Sequence, residues 1–344
     1  MSYIKSLSSF VISATLLASL ASPVLADSIS TNFESPYISG SINSQYGWSS
    51  LGSVGLGCAV YDHAISTQSL FPSFGSQSLR ISNAIVSGCF GDQTFASPLT
   101  NSVGEIDSTN GSYTPGSKQR HFEMKFDIAS AVPDAEQPGL YLSVSPDRGD
   151  GSRMSYLRFE DSTNGINVFF DDASFTDIQV GTNLNRAIPH TVKLTFDPVD
   201  GPSNDVVKVW IDGVLVQTGT SWEDYYRFDP EAAAEQSSRI VKTVLFRTGG
   251  SENLPSVSGK GFLIDNLSYS SGPVLIDPPT NKSQCKNNGW KKFNNPSFRN
   301  QGQCVEFVEH LTDDKDKHEN RSDDHKNEDD HSQKTNHREH QRED

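Results

Sequence analysis

The segment VVKVWIDGVLVQT, residues 206–218, decides the fold class. Its first six residues alternate in character, with a period of two that is typical of a half-buried β-strand. The apolar side consists of Val207, Val209 and Ile211. The dipeptide Asp212-Gly213 follows at once, and it is a strong signal for a two-residue type I′ turn. The segment therefore predicts an antiparallel hairpin.

The same alternation recurs outward from this hairpin, in HFEMKFDI at 121–128 and in HTVKLTF at 190–196. Further predicted strands cover 139–145, 155–161, 166–171, 240–247 and 261–269. The only run that favours a helix is PEAAAEQ at 230–236. Many antiparallel strands with turn-rich connections predict an all-β fold for residues 27–271, a two-sheet antiparallel β-sandwich or jelly roll. A barrel is the alternative.

The first 26 residues have the pattern of a signal peptide. Lys5 lies near the start, the apolar run FVISATLLASLA follows, and the small-residue site Val24-Leu25-Ala26 precedes Asp27. An uncleaved membrane anchor is the alternative, but the apolar run is short for spanning a bilayer. We therefore expect a secreted, extracellular protein whose mature chain begins at Asp27 and contains no membrane span.

The four cysteines fit an oxidising compartment. Cys58 and Cys89 lie in one segment, and Cys285 and Cys304 lie in another, so two local disulfides are the simplest of the three possible pairings. Each would contribute ~3 kcal/mol on the loop-entropy model. Free buried thiols and metal ligation are the alternatives, although no C-x-x-C spacing supports a metal.

The composition changes after the predicted sandwich. Residues 272–282 are rich in proline and predict a linker, residues 283–310 form a compact segment between two cysteines, and residues 311–344 are charged and rich in histidine. This tail has too few apolar residues to fold, so we predict disorder, with transient binding of a divalent metal as an open alternative. The net charge of −15 argues against nucleic acid as a partner.

Several segments together resemble secreted bacterial proteins with a concanavalin A-like, or laminin G-like, jelly-roll domain. They are NFESPYISGSINSQYGW at 32–48, SLRISNAIVSGCFGDQTFASPL at 78–99, VKVWIDGVLV at 207–216, TSWEDYYRFDPE at 220–231 and GKGFLIDNLSYS at 259–270. Residues 283–308 are similar to a short C-terminal module of secreted bacterial proteins. The fold implied by this resemblance hosts lectin-like domains, glucanases, lyases and interaction modules, so it does not select a function.

A calcium site is implied by similarity to jelly-roll carbohydrate-binding modules. Those modules carry Phe-Glu in the first strand and Ile-Asp-Asn in the last, and the matching acids here are Glu34 and Asp265. Two carboxylates with nearby carbonyl oxygens suit Ca²⁺. By strand alternation, Asp265 should point the same way as Leu263, Leu267 and Tyr269. The alternative is that Asp265 satisfies backbone groups of a turn or an edge.

A second acidic group, DPVDGPSND at 197–205, could also hold Ca²⁺, but turns built on Asp, Asn, Gly and Pro explain it equally well.

No catalytic residue is predicted. Glucanases of this fold carry E-x-D-x-E on one strand, and the nearest match, at 105–109, ends in Thr109 and lies in a loop-like context. Retaining hydrolysis needs two carboxyl groups around the bond, so this motif is broken. Other catalytic signatures such as G-x-S-x-G and H-E-x-x-H are also missing from the sequence. A lyase that uses histidine, tyrosine and arginine from distant positions stays open.

Outward-facing aromatic residues predict a binding platform. The candidates are Tyr141, Tyr156, Arg158, Trp210 and Trp222. If their strands share one sheet, the rings and Arg158 would suit stacking on sugars, whereas the alternative is that each ring covers an edge of the core.

We therefore predict a secreted, non-catalytic module that binds extracellular carbohydrate or a cell-surface component. The alternatives are a polysaccharide-cleaving glycosidase or lyase of this fold and a structural or adhesive surface protein.

Overall fold

The structure, a computed structural model, describes residues 27–50, 61–85, 93–109, 116–171, 176–232, 238–248, 254–273, 278–293 and 296–319. Contacts divide the chain into two compact units, the first ending at Pro273 and the second beginning at Val274. The first unit carries the β-strands, and the second carries short helical turns and one longer helix. Within the described ranges, no helix is both long and apolar enough to cross a membrane.

The described part of the first unit contains seventeen β-strands. In chain order they are β1 (Asp27–Thr31), β2 (Gly40–Ser41), β3 (His63–Ser66), β4 (Ser78–Ile81), β5 (Gln93–Phe95), β6 (Val103–Gly104), β7 (His121–Ser130), β8 (Tyr141–Asp147), β9 (Tyr156–Ser162), β10 (Gly165–Asp171), β11 (Ile178–Leu184), β12 (His190–Asp197), β13 (Val206–Ile211), β14 (Val214–Gly219), β15 (Ile240–Val241), β16 (Thr243–Arg247) and β17 (Phe262–Gly272).

These strands form two large sheets and one small pair. The nine-stranded sheet has the order β14-β13-β12-β7-β17-β4-β3-β2, and β1 pairs with β17 as well. The six-stranded sheet has the order β11-β10-β9-β8-β16-β5, and β15 pairs with β6. The paired strands run antiparallel. The prediction of an all-β, two-sheet antiparallel sandwich is therefore confirmed.

One continuous hydrophobic core lies between the two large sheets. The ring of Phe126, on β7 of the nine-stranded sheet, lies 6.0 Å from the ring of Phe159 and 6.3 Å from that of Phe246, which belong to the six-stranded sheet. All three side chains are fully buried. Burying a side chain of this size contributes about 1.5–3 kcal/mol. The same period of two leaves the alternate residues outside, where ligands can reach them.

The hairpin of β13 and β14 forms as the sequence predicts. Asp212 and Gly213 have φ values of 50° and 81°, and a type I′ turn requires both to be positive. The sequence pattern does not predict β1, β3, β4 or β11. The four residues of β4 are all buried, so they show no alternation, and β11 exposes residues on both sides. Alternation therefore cannot locate the fully buried β4 or the irregular β11, whereas β1 and β3 do alternate but are only five and four residues long.

The helix of the first unit lies before the run at 230–236 that favours a helix, and residues 233–236 of that run lie outside the described residues. Helix α1 is Glu223–Phe228, and the described part of the predicted run contains only a 3₁₀ turn, Pro230–Ala232. Tyr226 of α1 is buried, and its hydroxyl donates a hydrogen bond to the Arg153 carbonyl at 2.9 Å. This contact ties α1 to the segment before β9.

Strand β17 contains a β-bulge at Asn266. Before the bulge Asp265 pairs with Asp127 of β7, and after it Ser268 pairs with Lys125, one residue out of step. Asn266 itself has a φ of 47°, in the left-handed region where asparagine is tolerated. An extra residue of this kind reverses the alternation of the strand beyond it.

The bulge corrects the expected direction of Asp265. Leu263 packs with Phe74 on the outer side of the nine-stranded sheet, whereas Leu267 and Tyr269 join the core between the sheets. Asp265 precedes the bulge and lies on the side of Leu263. The expected direction of Asp265 therefore holds relative to Leu263 and is wrong relative to Leu267 and Tyr269.

The second unit is closed by a disulfide between Cys285 and Cys304, as predicted, with their Cα atoms 5.7 Å apart. The bond joins a 3₁₀ turn, Lys282–Cys285, to helix α2, Gln301–Glu319. The two cysteines are buried with Val308, and half-buried aromatic residues pack around them. The other predicted pair, Cys58 and Cys89, lies outside the described residues.

Helix α2 runs through residues 311–319, where the sequence predicts a disordered tail. Lysine and glutamate are strong helix formers, so a helix that begins inside the disulfide-closed unit can continue through DDKDKHE even without apolar residues. The rest of the predicted tail, residues 320–344, lies outside the described part of the chain.

Candidate functional site

Aromatic residues and arginines lie together on the outer face of the six-stranded sheet. Tyr156 and Arg158 project from β9 on the side opposite the buried Leu157. Tyr141 projects from the neighbouring β8, opposite the buried Leu142. We define the aromatic–arginine face as Tyr141, Arg153, Tyr156, Arg158 and Trp222.

Tyr156 and Trp222 form the centre of this face. Their ring centroids are 5.8 Å apart in an edge-to-face arrangement. The guanidinium carbon of Arg153 lies 5.1 Å from the Tyr156 ring centroid and 5.9 Å from that of Trp222. The Trp222 backbone N–H donates to the Met154 carbonyl at 2.7 Å, which ties the chain before α1 to the start of β9. These contacts hold two rings and one cation in a single arrangement.

Arg158 is held by contacts on three sides. Its Nε lies 2.8 Å from a carboxylate oxygen of Glu160, and one terminal nitrogen lies 2.6 Å from a carboxylate oxygen of Asp177. Its guanidinium carbon lies 4.7 Å from the ring centroid of Phe169 on β10. Two ion pairs and a stacked ring limit the rotamers that Arg158 can adopt, so it presents a fixed set of hydrogen-bond donors.

The hydroxyl of Tyr156 is a hydrogen-bond donor. It donates to Asp171 Oδ2 at 3.0 Å. Burial, together with the negative charge of Asp171, raises the pKa of Tyr156 to about 12. The phenol therefore keeps its proton at neutral pH.

Three residues of this arrangement were not predicted. Phe169 and Asp171 alternate with the buried Val168 and Phe170 along β10, so the period of two in the predicted strand 166–171 could have found them. Arg153 lies in the connection before β9, and no pattern in the sequence indicates that its guanidinium packs on two rings. Side chains in loops escape period-based prediction, because their direction depends on tertiary contacts.

The structure separates Trp210 from the other four predicted ligand-binding residues. Trp210 lies on β13, which belongs to the nine-stranded sheet, whereas Tyr156 lies on β9 of the other sheet. The expectation that these strands share one sheet is therefore wrong for Trp210. A cavity of about 730 Å³ borders Trp210, Glu123 and Lys125. The Nζ of Lys193 lies 3.9 Å from the Trp210 ring centroid, so this ring already carries a cation against it.

The predicted metal ligand Asp265 is fully buried on the outer side of the nine-stranded sheet. Its Oδ1 accepts a hydrogen bond from the Asn266 N–H at 2.6 Å, whereas its Oδ2 has no hydrogen-bond partner among the described residues. Asp127 lies directly opposite on β7, and the Asn266 side chain donates to Asp127 Oδ2 at 2.8 Å and to the Ser73 carbonyl at 3.4 Å. A buried carboxylate oxygen without a donor is costly unless the carboxyl is protonated or binds a cation.

Glu34 is the second predicted metal ligand. Its negative charge acts on the carboxyl group of Asp265. Glu34 accepts hydrogen bonds from the backbone N–H groups of Ser76 at 2.5 Å and Gln77 at 3.0 Å. The hydrogen bonds from Ser76 lower the pKa of Glu34, so it is ionised. Burial, together with the negative charges of Glu34 and Asp127, raises the pKa of Asp265 to about 7. Carboxylate and carbonyl oxygens are the hard ligands that Ca²⁺ takes, but these three carboxylates are not among the described groups whose oxygens lie within 4.8 Å of one another.

A second group of buried carboxylates consists of Glu105, Asp205 and Glu223, which can bring one oxygen each within 4.8 Å of one another. Arg227 and Arg239 pair with this group, the latter at 3.0 Å from Glu105. The arginines supply the positive charge that a cation would otherwise supply.

Every carboxylate oxygen of this group has a donor. Asp205 accepts from the Val199 N–H at 2.8 Å and from the Ser221 hydroxyl at 2.6 Å. Glu223 accepts from the backbone N–H groups of Asn204 and Asp205. Glu105 follows the short strand β6, so the broken E-x-D-x-E motif lies in a turn, as the sequence predicts. The group joins the 197–205 connection to α1 and has no orphan oxygen to offer a metal.

The three histidines of the sandwich lie away from the aromatic–arginine face. His63 is buried with Thr94 and Thr248, and burial lowers its pKa to about 3. His121 and His190 begin β7 and β12 in the nine-stranded sheet and contact Asp197 and Asp212.

Comparison with known proteins gives distant structural likeness only. No protein-family model matches the chain, and no curated protein matches it. Similar solved structures include an alginate lyase (15% identity, TM-score 0.40, covering 72% of this chain and 97% of that one) and lectin II from Ulex europaeus (12%, 0.37, 71% and 98%). A further one is the carbohydrate-binding module CBM66 from Bacillus subtilis (11%, 0.32, 67% and 100%).

The chain also resembles a sialidase, of which it spans only 18%. Lectin-like domains, lyases and carbohydrate-binding modules are also the classes of protein that the sequence analysis names as similar. Likeness at this level does not identify a ligand or an activity.

Proposed function

We propose that this chain is a secreted, non-catalytic module that binds extracellular carbohydrate, or a glycan of the cell surface, through the aromatic–arginine face. The observation that carries the proposal is the packing of Tyr156 against Trp222 with Arg153 beside both rings. A sugar has one apolar face and a rim of hydroxyls. Fixed rings can stack on the former, and fixed guanidinium groups can hydrogen-bond the latter.

The fixed geometry supports binding because little side-chain entropy remains to be lost. Trp222 is tied through its backbone, Tyr156 through its hydroxyl, and Arg158 through two ion pairs. Ordering a flexible side chain on binding costs about 0.5–1.5 kcal/mol. A preorganised face avoids most of this cost.

The chemistry of the same residues supports a non-catalytic role. A lyase needs a base, and the raised pKa of Tyr156 keeps its proton in place at neutral pH. The described histidines of the sandwich lie elsewhere, paired or buried. A glycosidase needs a free carboxyl pair, whereas Glu160 and Asp177 are engaged by Arg158.

Calcium is part of the proposal, as a structural ion at Asp265, Asp127 and Glu34. The orphan Oδ2 of Asp265 and the hard oxygen ligands around it support this assignment. A cation there would offset the mutual repulsion of the three carboxylates, and it would join β7 and β17 to the segment that follows β1.

Glycan arrays and turnover assays test the proposed function together. The secreted chain should bind one or more oligosaccharides without releasing reducing ends or unsaturated products. Tyr156→Ala should weaken that binding at least tenfold, and Trp210→Ala is the control that should leave it unchanged. Amino-terminal sequencing of the exported protein should begin at Asp27.

Other outcomes would assign the alternatives. Turnover that Tyr156→Ala abolishes would show a polysaccharide-cleaving glycosidase or lyase. No glycan binding, combined with release from the cell surface on deletion of 283–344, would show an adhesive surface protein.

Thermal unfolding with and without a chelator tests the calcium proposal. A ligand at one hundred times its Kd adds ~2.7 kcal/mol of stability. Calcium should therefore raise the melting temperature, and an unchanged midpoint would remove Glu34 and Asp265 from the metal ligands.

A further inference from the structure

A second candidate ligand site lies beside β1 and the segment 32–48. A cavity there has a volume of about 350 Å³, at the lower end of the ~300–1,000 Å³ typical of small-molecule sites. Its aromatic lining consists of Tyr37, Tyr46, Trp48 and Tyr269. The rest of the lining is mainly polar and includes Ser30, Asn32, Ser35 and the carboxylate of Glu34. The mixture of rings and small polar groups suits a ligand with apolar faces and hydroxyl edges.

The backbone of this segment adopts uncommon conformations to build the cavity. Tyr46 has a φ of 45° and Ser44 a φ of 67°, both in the left-handed region. A bulky aromatic residue rarely occupies that region, because its Cβ crowds the backbone. Strained positions of this kind persist only where surrounding contacts enforce them, and they concentrate at functional sites.

Burial does not explain the conformation of Tyr46, because 55% of this residue is exposed. Its ring is nonetheless fixed. It lies 4.9 Å from the Tyr37 ring in an edge-to-face contact, and its hydroxyl donates to the Pro36 carbonyl at 3.1 Å. Its own carbonyl accepts a hydrogen bond from the Ser97 hydroxyl. An exposed ring is therefore held in one position by its contacts, although the backbone conformation of Tyr46 is strained.

The floor of the cavity is rigid as well. Trp48 and Tyr269 are almost fully buried, and the Trp48 indole N–H donates to the Tyr37 hydroxyl at 3.1 Å. Tyr37 thus contacts the floor on one side and the exposed ring on the other. A ligand entering this space would meet surfaces that need no rearrangement.

We propose that this cavity is a second carbohydrate-binding site, which holds one or two pyranose residues with an apolar sugar face against Tyr46. The sugar hydroxyls would meet Ser30, Asn32 and Ser35. The proposal stands on the lining of the cavity and does not depend on the aromatic–arginine face. With both sites, one chain could engage a polysaccharide at two points, and its apparent affinity would exceed that of either site.

The test uses the full mature chain carrying Tyr156→Ala and Trp222→Ala, so that the aromatic–arginine face is removed. The probes are cello-, laminari-, malto- and alginate hexasaccharides, titrated by calorimetry. We expect residual binding of at least one probe. Adding Tyr46→Asn should weaken this binding at least tenfold, because asparagine accepts a positive φ but has no ring. Tyr46→Phe, which keeps the ring, should retain binding within threefold.

The melting temperature of each variant separates a binding role from a purely structural one. Tyr46→Asn should unfold close to the parent temperature, because it fits the backbone. A large drop in melting temperature with unchanged binding would show that Tyr46 only closes its loop, and would overturn the proposal. Absence of residual binding in the parent double variant would overturn it too. Loss of binding in Tyr46→Asn with no effect of Tyr156→Ala in the wild-type chain would support this cavity while contradicting the proposed role of the face.

Discussion

The two sheets expose outer faces that obey the same alternation but differ in how they hold their aromatic residues. On the six-stranded sheet, Tyr156 and Trp222 pack on each other and on Arg153. On the nine-stranded sheet, the Trp210 ring has the Lys193 ammonium against it. An outward-facing aromatic residue is therefore not by itself a binding site. What distinguishes the candidate site is a second ring packed on the first, with one arginine beside both.

The largest expected difference between the two faces is in glycan affinity. Trp222→Ala should weaken binding by about thirtyfold, which corresponds to the ~2 kcal/mol loss of an aromatic hot spot. Trp210→Ala removes an identical side chain from the other face and should change the affinity less than twofold. Titration of both variants with the best ligand from the glycan array is the measurement. Equal losses would break the distinction between the faces.

The second expected difference is that calcium should stabilise the fold through Asp265, which lies on the nine-stranded sheet. Asp265→Asn replaces the carboxylate by a neutral amide, so it should abolish stabilisation by calcium, expected at ~2.7 kcal/mol when the ion is at one hundred times its Kd. Without calcium the variant should be at least as stable as the wild type at pH 8, because it buries no charge. Glycan binding at the other sheet should be unchanged. Calorimetric melting with calcium or chelator checks each point, and a calcium response retained by the variant would exclude Asp265.

A smaller effect should appear in the pH dependence of stability, at the connection that carries Trp222. Burial, with the charges of Glu223 and Glu105, raises the pKa of Asp205 to about 7 from an ordinary value of 3.8. The folded state therefore holds a proton that the unfolded chain has released. This contribution is fully present below pH 3.8 and is lost as the pH rises towards 7.

Asp205→Asn should flatten this part of the profile. The amide can still accept from the Val199 N–H and can donate to Ser221, so the hydrogen bonds persist. The free energy of unfolding, measured by urea titration at pH 4.5, 6 and 7.5, should fall less with pH in the variant than in the wild type. Parallel profiles would show that Asp205 ionises normally.

The smallest expected effect concerns Trp210 and the lysine against its ring. Lys193→Ala uncovers the Trp210 ring and removes a cation–π contact worth about 0.5–1 kcal/mol at an exposed site. We expect a slight loss of stability in urea titration and no gain in glycan affinity. A gain would mean that Lys193 masks a functional ring, and the two faces would then be alike.

Much of the fold was predictable because its central strands are half-buried. Alternation in 121–128, 190–196 and 206–211 located β7, β12 and β13, and Asp212-Gly213 located the turn between β13 and β14. The pairing of β13 with β12 was not predictable, because strand neighbours depend on long-range contacts. Trp210 was for that reason assigned to the wrong sheet.

The candidate site was predictable only in part, for the same reason. Tyr156 and Arg158 followed from the alternation in β9, whereas the position of Arg153 depends on a loop. The sequence identified Asp265 as a potential ligand. Its direction relative to Leu267 and Tyr269 was predicted wrongly, because no local pattern indicates the β-bulge at Asn266. Asp127 became visible as its partner only from the register of β17 with β7.

The bulge at Asn266 has a consequence for how such a protein can change over generations. Removing Asn266 alone would leave Asp265 outside and Leu267 inside, as regular alternation demands, so the hydrophobic interior would survive the loss of that codon. What would vanish are the hydrogen bonds that the Asn266 side chain donates to Asp127 and to the Ser73 carbonyl. The bulge can therefore be gained or lost through a single codon without changing which residues of β17 face the interior.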